Sequence, residues 1–179
     1  MTAIEENTGY SEVTREIARL AEKCSRWRIP NDMYIQYKVN RGLRDLSGNG
    51  VLTGLTNISN IPAKKMADGA EVPIDGKLFY RGIDIKSLVA GFLDEERFGF
   101  EETAYLLLFG ELPCADELDG FSRLLSGYRS LPMSFTRDVI MKAASRDMMN
   151  ALARCVLTLY YYDDNADDTS IPNTLRQCL

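Results

Sequence analysis

The 179-residue chain contains no histidine. That absence removes every Ser-His and Cys-His nucleophile, every histidine metal ligand and the usual general base near neutral pH. Cysteine is sparse: Cys24, Cys114, Cys155 and Cys178 stand far apart with no C-x-x-C pair, the pattern of buried reduced thiols rather than of a disulfide frame or zinc knuckle. Positive charge is short as well. Against 26 Asp and Glu the chain sets 21 Lys and Arg, for a net charge of -5 and no basic stripe, so nucleic acid and anionic membranes lose their electrostatic footprint as partners. The opening MTAIEENTGY lacks the basic start and apolar run of a secretion signal, and the expected location is cytoplasmic. No apolar run approaches the roughly 20 residues of a membrane span.

Two familiar ligand loops are missing too. Gly48, Gly50 and Gly54 fit neither the G-x-G-x-x-G spacing nor a P-loop, which needs a following Lys. The acidic run Asp163 to Asp168 places Asp163, Asn165 and Asp167 at positions 1, 3 and 5 of a calcium loop. It then puts Asp168 where Gly is needed and Thr174 where the last Glu belongs, so it is expected to be a solvated connection between helices. No metal, and no catalytic residue, is expected.

What is present is a core-forming composition, 45% apolar, enough for one domain or an ample part of one. Val13, Ile17, Leu20 and Cys24 follow helical spacing and predict an amphipathic helix over about residues 11–26, closed by Arg28 and Pro30. Gly-rich, β-branched sequence from 41 to 61, then ADG, IDG and KLFYRGI, predicts turns, short strands and a small hairpin. From Asp84 onward the pattern is helical. Asp84 suits the N-cap of a helix carrying Ile85, Leu88, Val89 and Phe92. GFEETAYLLLFGELP puts Glu101 and Glu102 at a helix N-terminus and Gly110 with Pro113 at its end. Its four consecutive large apolar residues, Leu106 to Phe109, leave it apolar all round, which belongs in a core.

A stripe of Leu118, Phe121, Leu125 and Tyr128 predicts the next helix, and another is expected near Ser134 with Phe135, Val139 and Ile140. Ser145 then opens a long helix in which Arg154 is the only charge between Asp147 and Asp163. Two apolar helices exceed what the few amphipathic ones can wrap, and an exposed remainder of that kind marks a partner surface. The expected outcome is a homodimer with antiparallel helices across a two-fold axis, using Met148, Met149, Leu152, Cys155, Val156, Leu159 and Tyr160. Finally, Thr174 and Gln177 have the form of a capping box that starts a helix just before Leu179, so the chain reads as cut rather than finished.

Four stretches in order, RGLRDLSGNGVLTGLTNIS at 41–59, KLFYRGIDIKSL at 77–88, GFEETAYLLLFGELP at 99–113 and NTLRQCL at 173–179, closely resemble the amino-terminal part of citrate synthase. The resemblance runs from about residue 34. It implies an amino-terminal helix and linker over 1–33, followed by the amino-terminal part of a large helical domain over 34–179, all-α apart from a small β element near 50–80. The connection FLDEERFGF is similar to that of a bacterial subgroup. By resemblance the complete protein is an acyltransferase of the tricarboxylic acid cycle, condensing acetyl-CoA with oxaloacetate and water through an aspartate and two histidines. The CoA thioester is then substrate, not cofactor. None of the three reacting groups can be placed on this chain, so these residues alone are expected to be inactive. A stand-alone helical dimerisation or regulatory module and a part of a 2-methylcitrate synthase are the alternatives. The family's His-Pro-Met-Asp-like opening of the long helix is missing at Ser145 to Met149, and Arg81 and Arg176, though inside matching motifs, are expected to serve capping or ion pairing.

Overall fold

A computed structural model describes residues 11–40, 43, 51 and 53–179. The secretion-signal reading of residues 1–10 and most of the Gly-rich reading of 41–52 lie outside the described residues. The protein is mostly helical with a few short strands, in agreement with the expected class. It forms two compact units, one of Lys23–Ser122 and one that joins the chain up to Glu22 with Arg123–Leu179.

Helix α1 (Arg15–Ser25) starts where the Thr14 hydroxyl accepts the Ile17 amide at 3.3 Å, four residues later than the periodicity suggested. Ser11 is engaged elsewhere: its hydroxyl accepts the Asp164 amide at 2.8 Å. After the short α2 (Asn31–Gln36) the chain turns to strands: β1 (Ser59–Asn60), β2 (Lys64–Ala67), β3 (Ala70–Pro73), β4 (Phe79–Tyr80) and β5 (Ile83–Asp84). β2 and β3 form a hairpin with Ala67 opposite Ala70, closed by Asp68 and Gly69 at φ of 51° and 80°. A two-residue turn with positive φ at both positions matches strand twist, which is why Asp-Gly stands there. β1, β4 and β5 make a second, antiparallel sheet.

Asp84 caps α3 (Ile85–Asp94) as expected, its carboxylate accepting the Lys86 amide at 2.8 Å. Helix α4 (Phe100–Phe109) ends on Gly110 at φ 80°, with the Gly110 amide donating to Leu106 O at 2.8 Å. α5 (Ala115–Gly127) follows, its first turn held by Glu117, which accepts the Cys114 amide at 3.0 Å. Tyr105, Phe109 and Phe121 meet edge to face, with centroids 4.6 to 5.7 Å apart, and centre this unit's core. α4 is not equally buried all round: Tyr105, Leu106 and Phe109 are buried, while Leu107 and Leu108 are half-buried.

In the other unit a π-helical turn, Thr136–Met141, replaces the α-helix expected near Ser134. Phe135 is buried and packs against Tyr162 with centroids 5.8 Å apart. The long helix is α6 (Met148–Leu159), continued by a 3-10 turn over Tyr160–Tyr162. It starts at Met148 because Asp147, not Ser145, is the cap: its carboxylate accepts the Asn150 amide at 3.0 Å. α7 (Ile171–Cys178) corrects the capping-box reading. Pro172 lies in its first turn, where a fixed φ and a missing amide suit a helix start, so Thr174 is already helical and its amide donates to Ser170 O at 2.8 Å. The thiols need correction as well. No disulfide links them, but only Cys24 and Cys155 are half-buried, whereas Cys114 and Cys178 are exposed.

Candidate functional site

The predicted association surface falls on one helix. Along α6 and its 3-10 extension, Met148, Met149, Leu152, Val156 and Tyr160 are exposed and recur at spacings of three and four, on one arc. Leu157 and Tyr161 extend the exposed apolar surface beyond the residues that sequence spacing picked out. Cys155 and Leu159 are half-buried and sit at the margin of the arc. No residue of α6 is buried by the chain itself. Arg154, the lone charge, turns to the inner side, where it donates to Ala143 O.

Arg81 is a capping residue. Its Nε and Nη2 donate to Leu107 O at 3.2 and 2.8 Å, and its Nη1 donates to Asn57 Oδ1 at 2.7 Å. It therefore satisfies a carbonyl in the last turn of α4, where cations also complement the helix dipole. Trp27 finishes the arrangement: its indole N–H donates to Phe109 O at 2.6 Å, and its ring faces the Arg81 guanidinium at 5.5 Å. Burial lowers the Arg81 pKa. Arg81 itself sits at φ 49°, before Gly82 at 84°, so the Tyr-Arg-Gly turn is a left-handed kink that aims the guanidinium back at α4.

Arg176 is an ion-pairing residue. On α7 its Nη2 lies 2.6 Å from Asp163 Oδ2, with both side chains largely buried, and its Nε donates to Asn173 Oδ1 at 2.8 Å. Burial works to raise the Asp163 pKa, but the Arg176 hydrogen bond and those from Gln177 and the Asn165 amide hold it below the usual value. The acidic run is an exposed connection between helices, as expected, except for Asp163, whose carboxylate is drawn inward by Arg176. Asn165 also donates to Ser11 O at 2.9 Å, and buried Asn173 donates to Asn165 O and Asp168 O, each at 2.8 Å.

A third cluster was missed. Lys23 on α1 donates to the Tyr105 hydroxyl and lies 2.9 Å from both Glu111 Oε1 and Glu117 Oε1. Burial disfavours the Lys23 charge, yet the bonds to Tyr105, Glu117 and Glu111 outweigh it and hold the pKa well above normal. Glu117 is pulled down to about 2, chiefly by Lys23 and then by the Cys114 amide. These partners lie up to 94 residues apart, and no local spacing rule points to them. Among the described residues no three His, Cys, Asp or Glu are grouped to hold a metal, and no helix is long and apolar enough to cross a membrane.

Comparison with known proteins places these motifs. A family model described as citrate synthase, C-terminal domain, matches residues 45–179. The 2-methylcitrate synthase 1 of Corynebacterium glutamicum is 36% identical over 94 residues, 52% of this chain and 19% of that protein. The citrate synthase of Haloferax volcanii is 37% identical over 94 residues, 51% of this chain and 23% of its own. The 2-methylcitrate synthase of Shewanella oneidensis is 44% identical over 57 residues, 32% of this chain and 14% of that protein. The chain therefore spans less than a quarter of the length of these relatives. No solved structure matches.

Proposed function

The chain belongs to the citrate synthase family, and we propose that it supplies the amino-terminal helical scaffold of a citrate synthase-type acyltransferase and self-associates through the outer arc of α6. The family match over residues 45–179 supports the acyltransferase parent, and the exposed apolar arc of α6 supports the self-association. The reaction joins the methyl carbon of acetyl-CoA to the ketone of oxaloacetate, after which water releases CoA. It needs a base for the methyl proton and donors for the developing enolate and alkoxide. By family resemblance two of those groups are histidines, and this sequence contains none. Arg81 and Arg176, both inside family motifs, are committed to Leu107 O and Asn57, and to Asp163 and Asn173. What the 179 residues contribute is then the packed helices and the surface on which a second copy rests, not the reacting groups.

Two assays test this. With acetyl-CoA and oxaloacetate, the chain alone should release no CoA above the uncatalysed rate; turnover would overturn the scaffold assignment. Sedimentation should give the mass of two copies, and Leu152→Asp should shift it to one by placing a charge on the apolar arc. A wild-type chain that sediments as one copy throughout the micromolar range would remove the association. A second reading, a 2-methylcitrate synthase, is favoured by the names of two relatives. It is separated by supplying propionyl-CoA, one methylene longer, to any longer protein that carries this segment.

A further inference from the structure

The sequence contains three Asp-Gly pairs, Asp68-Gly69, Asp75-Gly76 and Asp119-Gly120, and the fold sets each in a different backbone. The pairing matters because the carboxyl of an Asp lies within reach of the next residue's amide nitrogen, and a glycine, having no Cβ, leaves that nitrogen open to react. Asp119-Gly120 lies inside α5, so the Gly120 amide is tied into the helical ladder. Asp68-Gly69 closes the β2–β3 hairpin with both residues at positive φ, pinned by the register from Lys64 opposite Pro73 to Ala67 opposite Ala70. Asp75-Gly76 is set differently. Both residues are exposed, neither is at positive φ, and neither belongs to a helix or strand. The amides on either side are used, Ile74 N–H donating to Ala63 O at 2.9 Å and Lys77 N–H to Pro62 O at 3.2 Å, whereas among the described residues the Gly76 amide donates to no acceptor. The space around Gly76 is open as well: a Cβ there would meet nothing within 4 Å.

We propose that Asp75 is a site of isoaspartate formation, selected by the fold over Asp68 and Asp119. The Gly76 nitrogen attacks Cγ of the Asp75 carboxylic acid. An N–Cγ bond forms, the Cγ–OH bond breaks, and the hydroxyl leaves with the amide proton as water, giving a succinimide. Water then opens the ring at one of its two carbonyls. Cleavage of the new N–Cγ bond restores aspartate, while cleavage of the original peptide bond leaves the chain running through Cγ and frees an α-carboxylate. No atom is gained or lost overall. The backbone path between the Ile74 and Lys77 hydrogen bonds grows by one carbon, which puts those two bonds out of register with Ala63 and Pro62. The freed α-carboxylate is the group on which isoaspartate-specific carboxyl methyltransferases act, with S-adenosylmethionine as methyl donor.

Ageing the full chain at neutral pH tests the assignment, with isoaspartate located by peptide mapping and counted with such a methyltransferase and labelled S-adenosylmethionine. In the folded chain it should accumulate at 75 roughly tenfold faster than at 68 or 119, because the hairpin and α5 must open first. In guanidinium chloride the three pairs should convert at similar rates, since each Asp is followed by the same residue. Asp75→Glu keeps the charge and should abolish conversion at 75, its longer side chain requiring a larger and slower-closing ring. Asn49-Gly50, outside the described residues, is told apart by the change in mass that loss of ammonia brings. Equal conversion at the three pairs in the folded chain, faster conversion at 68 or 119, or conversion at 75 only after denaturation overturns the proposal.

Discussion

Helices α4 and α6 look alike in sequence. Each is a run of ten or twelve mostly apolar residues with few charges, and composition alone would bury both. α4 has four buried residues, an aromatic cluster against Phe121, and a last turn whose carbonyls are taken up by Arg81 and Trp27. α6 has a capped N-terminus and no buried residue at all. An apolar stripe thus states that a helix must be covered, while the cover itself is decided by residues far away in sequence, or by another molecule. The contrast has measurable consequences.

The largest is in the core. Phe109→Ala removes a ring with 0% exposure and two edge-to-face partners, and should cost about 3–5 kcal/mol in urea unfolding. Leu157→Ala, at a position 73% exposed on α6, should change stability by less than about 0.5 kcal/mol at concentrations where the chain is a single copy. Equal losses at the two sites would erase the distinction between the helices.

Next is the end of α4. Gly110 holds φ 80°, and a Cβ there would come 2.2 Å from the Trp27 ring. Gly110→Ala should therefore cost about 1–3 kcal/mol from backbone strain alone. It should also displace the single tryptophan from its bond to Phe109 O, visible as a shift in its emission. An unchanged spectrum would mean that the indole does not help hold the helix terminus.

How much of this was legible follows from range. The Asp84 cap, the Gly110 stop and the Asp68-Gly69 hairpin turn were all within reach of sequence, because each depends on residues a few positions apart. The reading of α7 failed at the same short range. Ser, Pro and Thr near 170–174 offer two possible starts, and the Pro172 geometry selects the earlier. What sequence did not offer was anything built across the chain: Trp27 reaching Phe109 O, Asn165 reaching Ser11, or Lys23 meeting Tyr105. The outer arc of α6 was legible as a surplus of apolar residues. Leu157 and Tyr161 escaped because a seven-residue stripe is narrower than the arc the structure leaves uncovered.

The smallest effect concerns the clasp of Lys23 with Tyr105, Glu111 and Glu117. Glu117 has its folded-state pKa pulled from 4.5 to about 2, first by Lys23 and then by the Cys114 amide. A depressed carboxyl pKa stabilises the fold above the unfolded value, so this contribution is complete above about pH 5 and is lost as pH falls from 4.5 towards 2. The Glu117 side chain is 42% exposed, and solvent screening keeps its share below about 1 kcal/mol. Glu117→Gln should therefore unfold at slightly lower urea than wild type near pH 6, and the two midpoints should converge only at about pH 2, where the folded-state carboxyl is itself protonated. A gap that persists at low pH would mean that Glu117 acts through its neutral hydrogen bonds to Tyr105 and Cys114 rather than through the Lys23 pair. The clasp would then resemble the rest of the α4 core, held by packing and satisfied polar groups, with charge a minor part of what keeps that helix covered.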